Sequence, residues 1–235
     1  MIDSLFGKVF LILTLQLTVT WLAVDQAMRF FHRRYQTKDS RVTGTKAADG
    51  TLDLDLAPRA FLKEFIALIV LDIACFGLMF TRGISDLRLG LPLLLLWSVC
   101  TGLLLAFKLI RHDETLGGRV LRLTAMLVLG SWILGGRSGL DLSFLERPLA
   151  IMLALLLLVL FFRILFQIPR HKDRFTSFLG VVTFTGYLLL DFNRLTKFDQ
   201  ENVANTWNAA AVLSIDLYLD IINLFLQLLD ALDDL

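Results

Sequence analysis

The chain is poor in the residues that build disulfide-stapled or metal-bearing domains. It has two cysteines, three histidines and four prolines in 235 residues. Cys75 and Cys100 both fall inside apolar blocks. They read as buried packing thiols, not as a disulfide framework or metal ligands. His32, His112 and His171 lie far apart and suggest no ligand cluster. Neither charge sign is in excess: 23 Lys and Arg stand against 22 Asp and Glu, for a formal net charge of +1. That balance gives no bulk electrostatic case for a nucleic-acid partner. No phosphate-binding glycine loop, nucleophile elbow or metal-ligand spacing occurs. Gly117–Gly118 and Gly135–Gly136 sit at the ends of apolar blocks and read as turns with close helix approach.

What the chain has in plenty is apolar residues. They make up 56% of it, with mean hydropathy +0.69, against about 45–50% in a soluble domain. The excess is gathered into blocks. About 20 mostly apolar residues cross a bilayer as a helix. Seven blocks qualify, at roughly 5–25, 60–81, 89–110, 119–136, 148–168, 174–194 and 207–229. The first lacks the cleavage pattern of a signal peptide and reads as a span. Backbone amides in hydrocarbon need internal partners, so the blocks are expected to be helices. They do not alternate in polarity as membrane-barrel strands do. A single transmembrane domain over 1–235 follows, an all-α integral membrane protein in a lipid bilayer.

The connections are short except for 29–59, RFFHRRYQTKDSRVTGTKAADGTLDLDLAPR. It reads as a long polar surface loop. Its first half is basic, with Arg29, Arg33 and Arg34 placed to meet lipid headgroups. Its second half is acidic, with Asp49, Asp53 and Asp55. The side bearing this loop holds 15 Lys and Arg against 7 on the other. That bias predicts the N-terminus outside and the C-terminus inside. Eight of the 15 belong to the one loop or its edge.

Ionisable residues interrupt the spans: Asp72, Arg163, Asp191, Asp216 and Asp220. Each costs about 2.5–3.5 kcal/mol on insertion scales, so each is expected to face the protein interior, paired or functional. Asp191 and Asp220 match in depth if the sixth and seventh helices turn near Asn205. The sixth helix must then overshoot its apolar boundary through RLTKFDQEN, to about 201–203. That segment holds no Gly or Pro to stop it. Two apposed carboxylates cannot both ionise cheaply, so such a pair shares a proton. It would be closed when proton-bridged, and repelling or cation-binding when ionised. Carboxylate oxygens are also what Ca²⁺ prefers. The plain alternative, strongest for Asp72 and Asp216, is a hydrogen bond to a polar side chain on a neighbouring helix.

The segment TGYLLLDFNRL (185–195), followed by LSIDLYLDIINLFLQLL (213–229), resembles the transmembrane Bax inhibitor motif family, also called the Bax inhibitor or lifeguard family. Residues 217–226 match the family's last helix almost letter for letter, and DLSFL at 141–145 is also family-like. The resemblance implies a seven-helix bundle with the C-terminal helix central. It implies a di-aspartyl, pH-responsive element at Asp191 and Asp220, Ca²⁺ leak across a membrane, and suppression of cell death. Bacterial relatives add a membrane-protease partner. By position, Arg82 is the nearest match to an arginine that engages the pair, and Asp72 to an acid in the same helix. Asn223 lies within the matched motif. Asp216 stands where relatives carry a small polar residue.

Three functions are weighed. The first is a pH-sensitive cation leak, with Asp191 and Asp220 as proton sensor and transient Ca²⁺ ligands. Asp216, Arg82, Asp72 and Asn223 would support them. The second is a non-conducting regulator or scaffold that docks a partner complex through 29–59 or the acidic tail of Asp230, Asp233 and Asp234. The third, an intramembrane aspartyl protease, needs Gly-x-Gly-Asp where LYLD stands and a Pro-Ala-Leu segment that is absent, so no enzyme is expected. No cofactor is expected beyond transient Ca²⁺. The bacterial inner membrane and eukaryotic internal membranes (endoplasmic reticulum or mitochondrial inner membrane) both fit.

Overall fold

The computed structural model describes residues 3–46, 52–57, 60–84, 86–110, 112, 114–137, 139–166, 174–201 and 205–233. Seven helices dominate: α1 (Leu5–Gln36), α2 (Leu62–Leu78), α3 (Leu87–Leu109), α4 (Glu114–Ser131), α5 (Glu146–Phe166), α6 (Arg174–Gln200) and α7 (Trp207–Leu232). π-Helical turns extend α2 over Met79–Gly83 and α4 over Trp132–Gly136. All seven helices are long and apolar enough to cross a membrane. The protein is therefore an all-α integral membrane protein. Its surface agrees: α5 exposes Leu155, Leu157, Leu160 and Phe161 outward, a face that suits lipid and not water. By contrast, α7 is the most buried of the seven, with 56% of its span window inside the protein.

The helices fall into two compact units, one of Phe10–Gly117 and one of Met1–Val9 with Gly118–Leu235. In the first, the structure corrects the reading of 29–59 as a loop. α1 continues through RFFHRRY to Gln36, because no Gly or Pro lies between Lys8 and Thr43 to end it. Arg29 pairs with Asp25 one turn earlier, at 2.9 Å. The remainder forms an antiparallel hairpin of β1 (Val42–Lys46) and β2 (Leu52–Leu56), with Val42 opposite Leu56 and Gly44 opposite Leu54. Alternation explains its seat. Val42, Leu54 and Leu56 point inward onto Phe31, Phe61 and Ile110, while Thr43 and Asp55 face out. Asp49, Arg59 and the side chains of Asp53 and Arg163 lie outside the described residues.

In the second unit α6 and α7 pack as an antiparallel pair. α6 runs past the apolar boundary at 194 to Gln200, with Glu201 already in the turn. Thr206 caps α7 by accepting the backbone N–H of Ala209 at 3.2 Å. The turn is tied to the N-terminal segment. The Lys8 ammonium donates to the Asn205 carbonyl at 3.0 Å and to its side-chain oxygen at 2.9 Å. The Asn205 amide donates to the Asp3 carbonyl at 2.7 Å.

Candidate functional site

The overshoot of α6 has a chemical consequence. It brings Asp191 level with Asp220 of α7, and places the two carboxyls within hydrogen-bonding reach of each other. Both residues are buried, at 7% and 9% exposure. Asp191 is flanked in sequence by buried Leu190 and Phe192, and Asp220 is followed by buried Ile221. A carboxylate can only accept, so a carboxyl–carboxyl bond requires a proton on one partner. Oδ2 of Asp220 has no hydrogen-bond partner among the described residues. The pair is thus apposed but not fully satisfied.

Arg194 is the residue that inspection of the sequence missed. It lies one turn beyond Asp191 on α6, with Nη1 3.8 Å from Asp191 Oδ1. Nη2 reaches Glu146 Oε1 on α5 at 3.0 Å. The i,i+3 spacing in DFNR was the available signal; the sequence at a helix end offered no reason to pick it over Lys197. Tyr187, one turn before Asp191, lies within electrostatic reach of both acids.

The supporting candidates separate. Asp216 is half-buried one turn before Asp220 and within electrostatic reach of Asp191, Asp220 and Arg194. It is part of the constellation. Asn223, also half-buried, follows Asp220 by one turn. Asp72 and Arg82 belong to the other unit. Asp72 accepts the Thr101 hydroxyl of α3 at 3.0 Å and a hydrogen bond from the Trp97 side chain, as the plain reading of a membrane acid expects. Arg82 is exposed in the π turn that ends α2.

A polar latch sits beside the pair. The Asn193 amide donates to the carbonyls of Gly135 at 3.0 Å and Leu140 at 2.8 Å, and its oxygen accepts the Leu142 N–H at 3.3 Å. One buried side chain thereby holds the connection from α4 to α5 against α6. Gly135 makes this possible, since an added Cβ would stand 2.3 Å from the Leu189 carbonyl oxygen. Just beyond, Lys197 bonds Asp141 of the DLSFL segment at 2.5 Å. That ammonium, then the hydroxyl and N–H of Ser143, hold the Asp141 carboxyl well below the usual carboxylate range.

Seven apolar spans with a buried carboxyl pair between the last two define a polytopic integral membrane protein with an intramembrane di-aspartyl contact. The sequence model of the family described as inhibitor of apoptosis-promoting Bax1 matches residues 3–234. The chain belongs to this Bax inhibitor-like family. The match extends the likeness from the last two helices to nearly the whole chain. A search of the curated proteins found no match.

Proposed function

We propose that the protein is a pH-sensitive cation leak of the Bax inhibitor type, with Asp191 and Asp220 as its gate and Ca²⁺ as cargo. The observation that carries this reading is the apposition of two buried carboxyls, within hydrogen-bonding reach of each other across α6 and α7. While the pair holds its proton, a carboxyl–carboxyl bond ties α6 to α7. When the proton leaves, two negative charges face each other out of water. At about 4 Å and an effective dielectric of about 20 their repulsion is about 4 kcal/mol. Separation of the helices, or entry of a cation, relieves it. Two carboxylates are few against the six to eight oxygens Ca²⁺ takes, which suits passage better than storage. Asp216 adds negative field at the same level, and Arg194 supplies the counter-charge. The activity is transport, not catalysis: LYLD lacks the glycines of an aspartyl-protease site.

The test is Ca²⁺ flux through the full chain in liposomes. Flux is expected to rise from pH 5 to pH 8. Asp191→Asn and Asp220→Asn are each expected to flatten that dependence. Variants that keep the parent's pH profile would sink the gate. We place the protein in the bacterial inner membrane or a eukaryotic internal membrane, N-terminus outside and C-terminus inside; in a eukaryotic cell the leak would bear on cell death.

One observation favours a second reading, a non-conducting regulator. The strands Val42–Lys46 and Leu52–Leu56 pair antiparallel and turn Thr43 and Asp55 outward, and so offer a surface to a partner complex. Asp230 and Asp233 would add an acidic one. Flat flux in liposomes, with a stable partner in detergent pull-downs, would select this reading.

A further inference from the structure

A cavity of about 370 Å³ opens within the unit of residues 10–117. Its walls are the rings of Phe30, Phe31, Phe61 and Phe107, with Leu68 and Leu103. Phe31 meets Phe107 and Phe61 edge to face, with centroids 5.4 and 5.8 Å apart. The volume falls within the range of about 300–1,000 Å³ common for small-molecule sites.

Its position in the membrane follows from the helices that form it. It lies where α1 ends, α2 begins and α3 ends. Arg29 and Arg33 of α1, Lys63 of α2 and Lys108 of α3 stand at that same end. Basic and aromatic residues together mark the headgroup level. The apolar interior therefore opens at the depth where lipid heads lie.

The mouth is built from fixed charges. Asp39 accepts from Arg41 Nε and Nη2, at 3.2 and 2.9 Å, and from Arg34 Nη1 at 3.0 Å. Each guanidinium also lies over a wall ring, Arg34 over Phe30 at 5.0 Å and Arg41 over Phe61 at 4.7 Å. Glu64 lines the same mouth, within electrostatic reach of Arg41. Two guanidiniums are thus balanced by two carboxylates. Phe61 holds its ring there from a left-handed backbone, φ 58° and ψ 17°. That conformation is costly for a bulky residue and persists where the surroundings impose it, often at ligand clamps.

We propose that this cavity binds one zwitterionic glycerophospholipid from the surrounding bilayer. An acyl chain lies on the phenylalanine rings, the phosphate on the Arg41 and Arg34 guanidiniums, and the ammonium against Glu64. A free phosphate would not use the apolar wall, and a simple anion would not use the balancing carboxylates.

The experiment titrates delipidated full-length protein in detergent with phosphatidylethanolamine, phosphatidylglycerol and diacylglycerol, read by native mass spectrometry. One saturable copy of phosphatidylethanolamine is expected. Diacylglycerol is expected to bind about tenfold more weakly, as is phosphatidylethanolamine to the Arg34→Gln, Arg41→Gln double variant, for the loss of charge-assisted hydrogen bonds. Leu68→Trp, which fills the cavity, is expected to abolish binding without lowering the melting temperature. Full binding by Leu68→Trp would overturn the site. Diacylglycerol binding as tightly as phosphatidylethanolamine, or phosphatidylglycerol binding more tightly, would overturn the headgroup assignment. The lipid comparison on the parent protein stands even if the double variant misfolds.

Discussion

Arg194 Nη1 lies 3.8 Å from Asp191 Oδ1, while Nη2 of the same guanidinium lies 3.0 Å from Glu146 Oε1. One cation is shared between a buried carboxyl and an exposed one. Arg194→Gln removes the charge that favours ionised Asp191. Losing the proton, and so opening, then requires higher pH. In liposome flux the midpoint is expected to move up by on the order of one pH unit or less, because the guanidinium is partly solvent-screened. An unmoved midpoint would exclude Arg194 from the gate.

Asp216 is predicted from its place to act in the opposite sense. Asp216→Asn removes a negative neighbour of the pair, so ionisation becomes easier and the flux midpoint should fall. The two substitutions therefore make a matched set, one up and one down. Shifts of the same sign in both would mean that electrostatics at this site does not set the midpoint. Asp216→Asn is also expected to lower flux on the ionised side, where the extra carboxylate attracts cations.

The close approach of the π turn Trp132–Gly136 to α6 has a steric test. At Gly135 a new Cβ would stand 2.3 Å from the Leu189 carbonyl oxygen and 3.1 Å from its carbon. Both are backbone atoms and cannot swing aside. Gly135→Ala is expected to destabilise by about 1–3 kcal/mol. At Gly130 an added Cβ meets nothing within 4 Å. Gly130→Ala should be neutral or stabilising by up to about 1 kcal/mol, from helix propensity alone. Thermal melts in detergent distinguish the two; equal melting temperatures would show that α6 yields without cost.

The Asp141–Lys197 link lies outside the spans, and its pH response can be given a sign. The folded carboxyl is held below its ordinary range. Its contribution is therefore present above the unfolded value of about 3.9 and is lost as pH falls through the lower folded value. The link should hold unchanged from pH 8 to pH 5. A spin label at Leu140→Cys is expected to keep one mobility across that window, and to become more mobile at every pH in Lys197→Met. A mobility change between pH 8 and pH 5 would contradict the assignment.

Much of the site was legible once depth was considered together with hydropathy. The apolar boundary at 194 by itself puts Asp191 and Asp220 at different levels. The absence of Gly and Pro from RLTKFDQEN allows α6 to continue, and it does, to Gln200. The same absence in RFFHRRY extends α1 to Gln36, where polarity suggested a loop. Polarity marks where a helix leaves lipid, not where it ends. Asn193 was not legible, and Arg194 only through its i,i+3 spacing from Asp191. Their other partners, Glu146, Gly135, Leu140 and Leu142, are ones that no sequence periodicity places nearby.

The sequence alone determined the class: backbone amides in hydrocarbon need internal partners, and apolar blocks that do not alternate in polarity supply them as helices and not as barrel strands. It also determined which acids stand out, through their cost in lipid and the LYLDIINLF motif. The tertiary structure decided the rest. It brought Asp191 to Asp220, admitted Asp216 to their company, gave Asp72 to Thr101, and set Arg194 beside the pair. A carboxyl in an apolar span costs much the same wherever its helix places it. Whether it is half of a gate or a packing contact depends on what the neighbouring helix brings within a few ångströms.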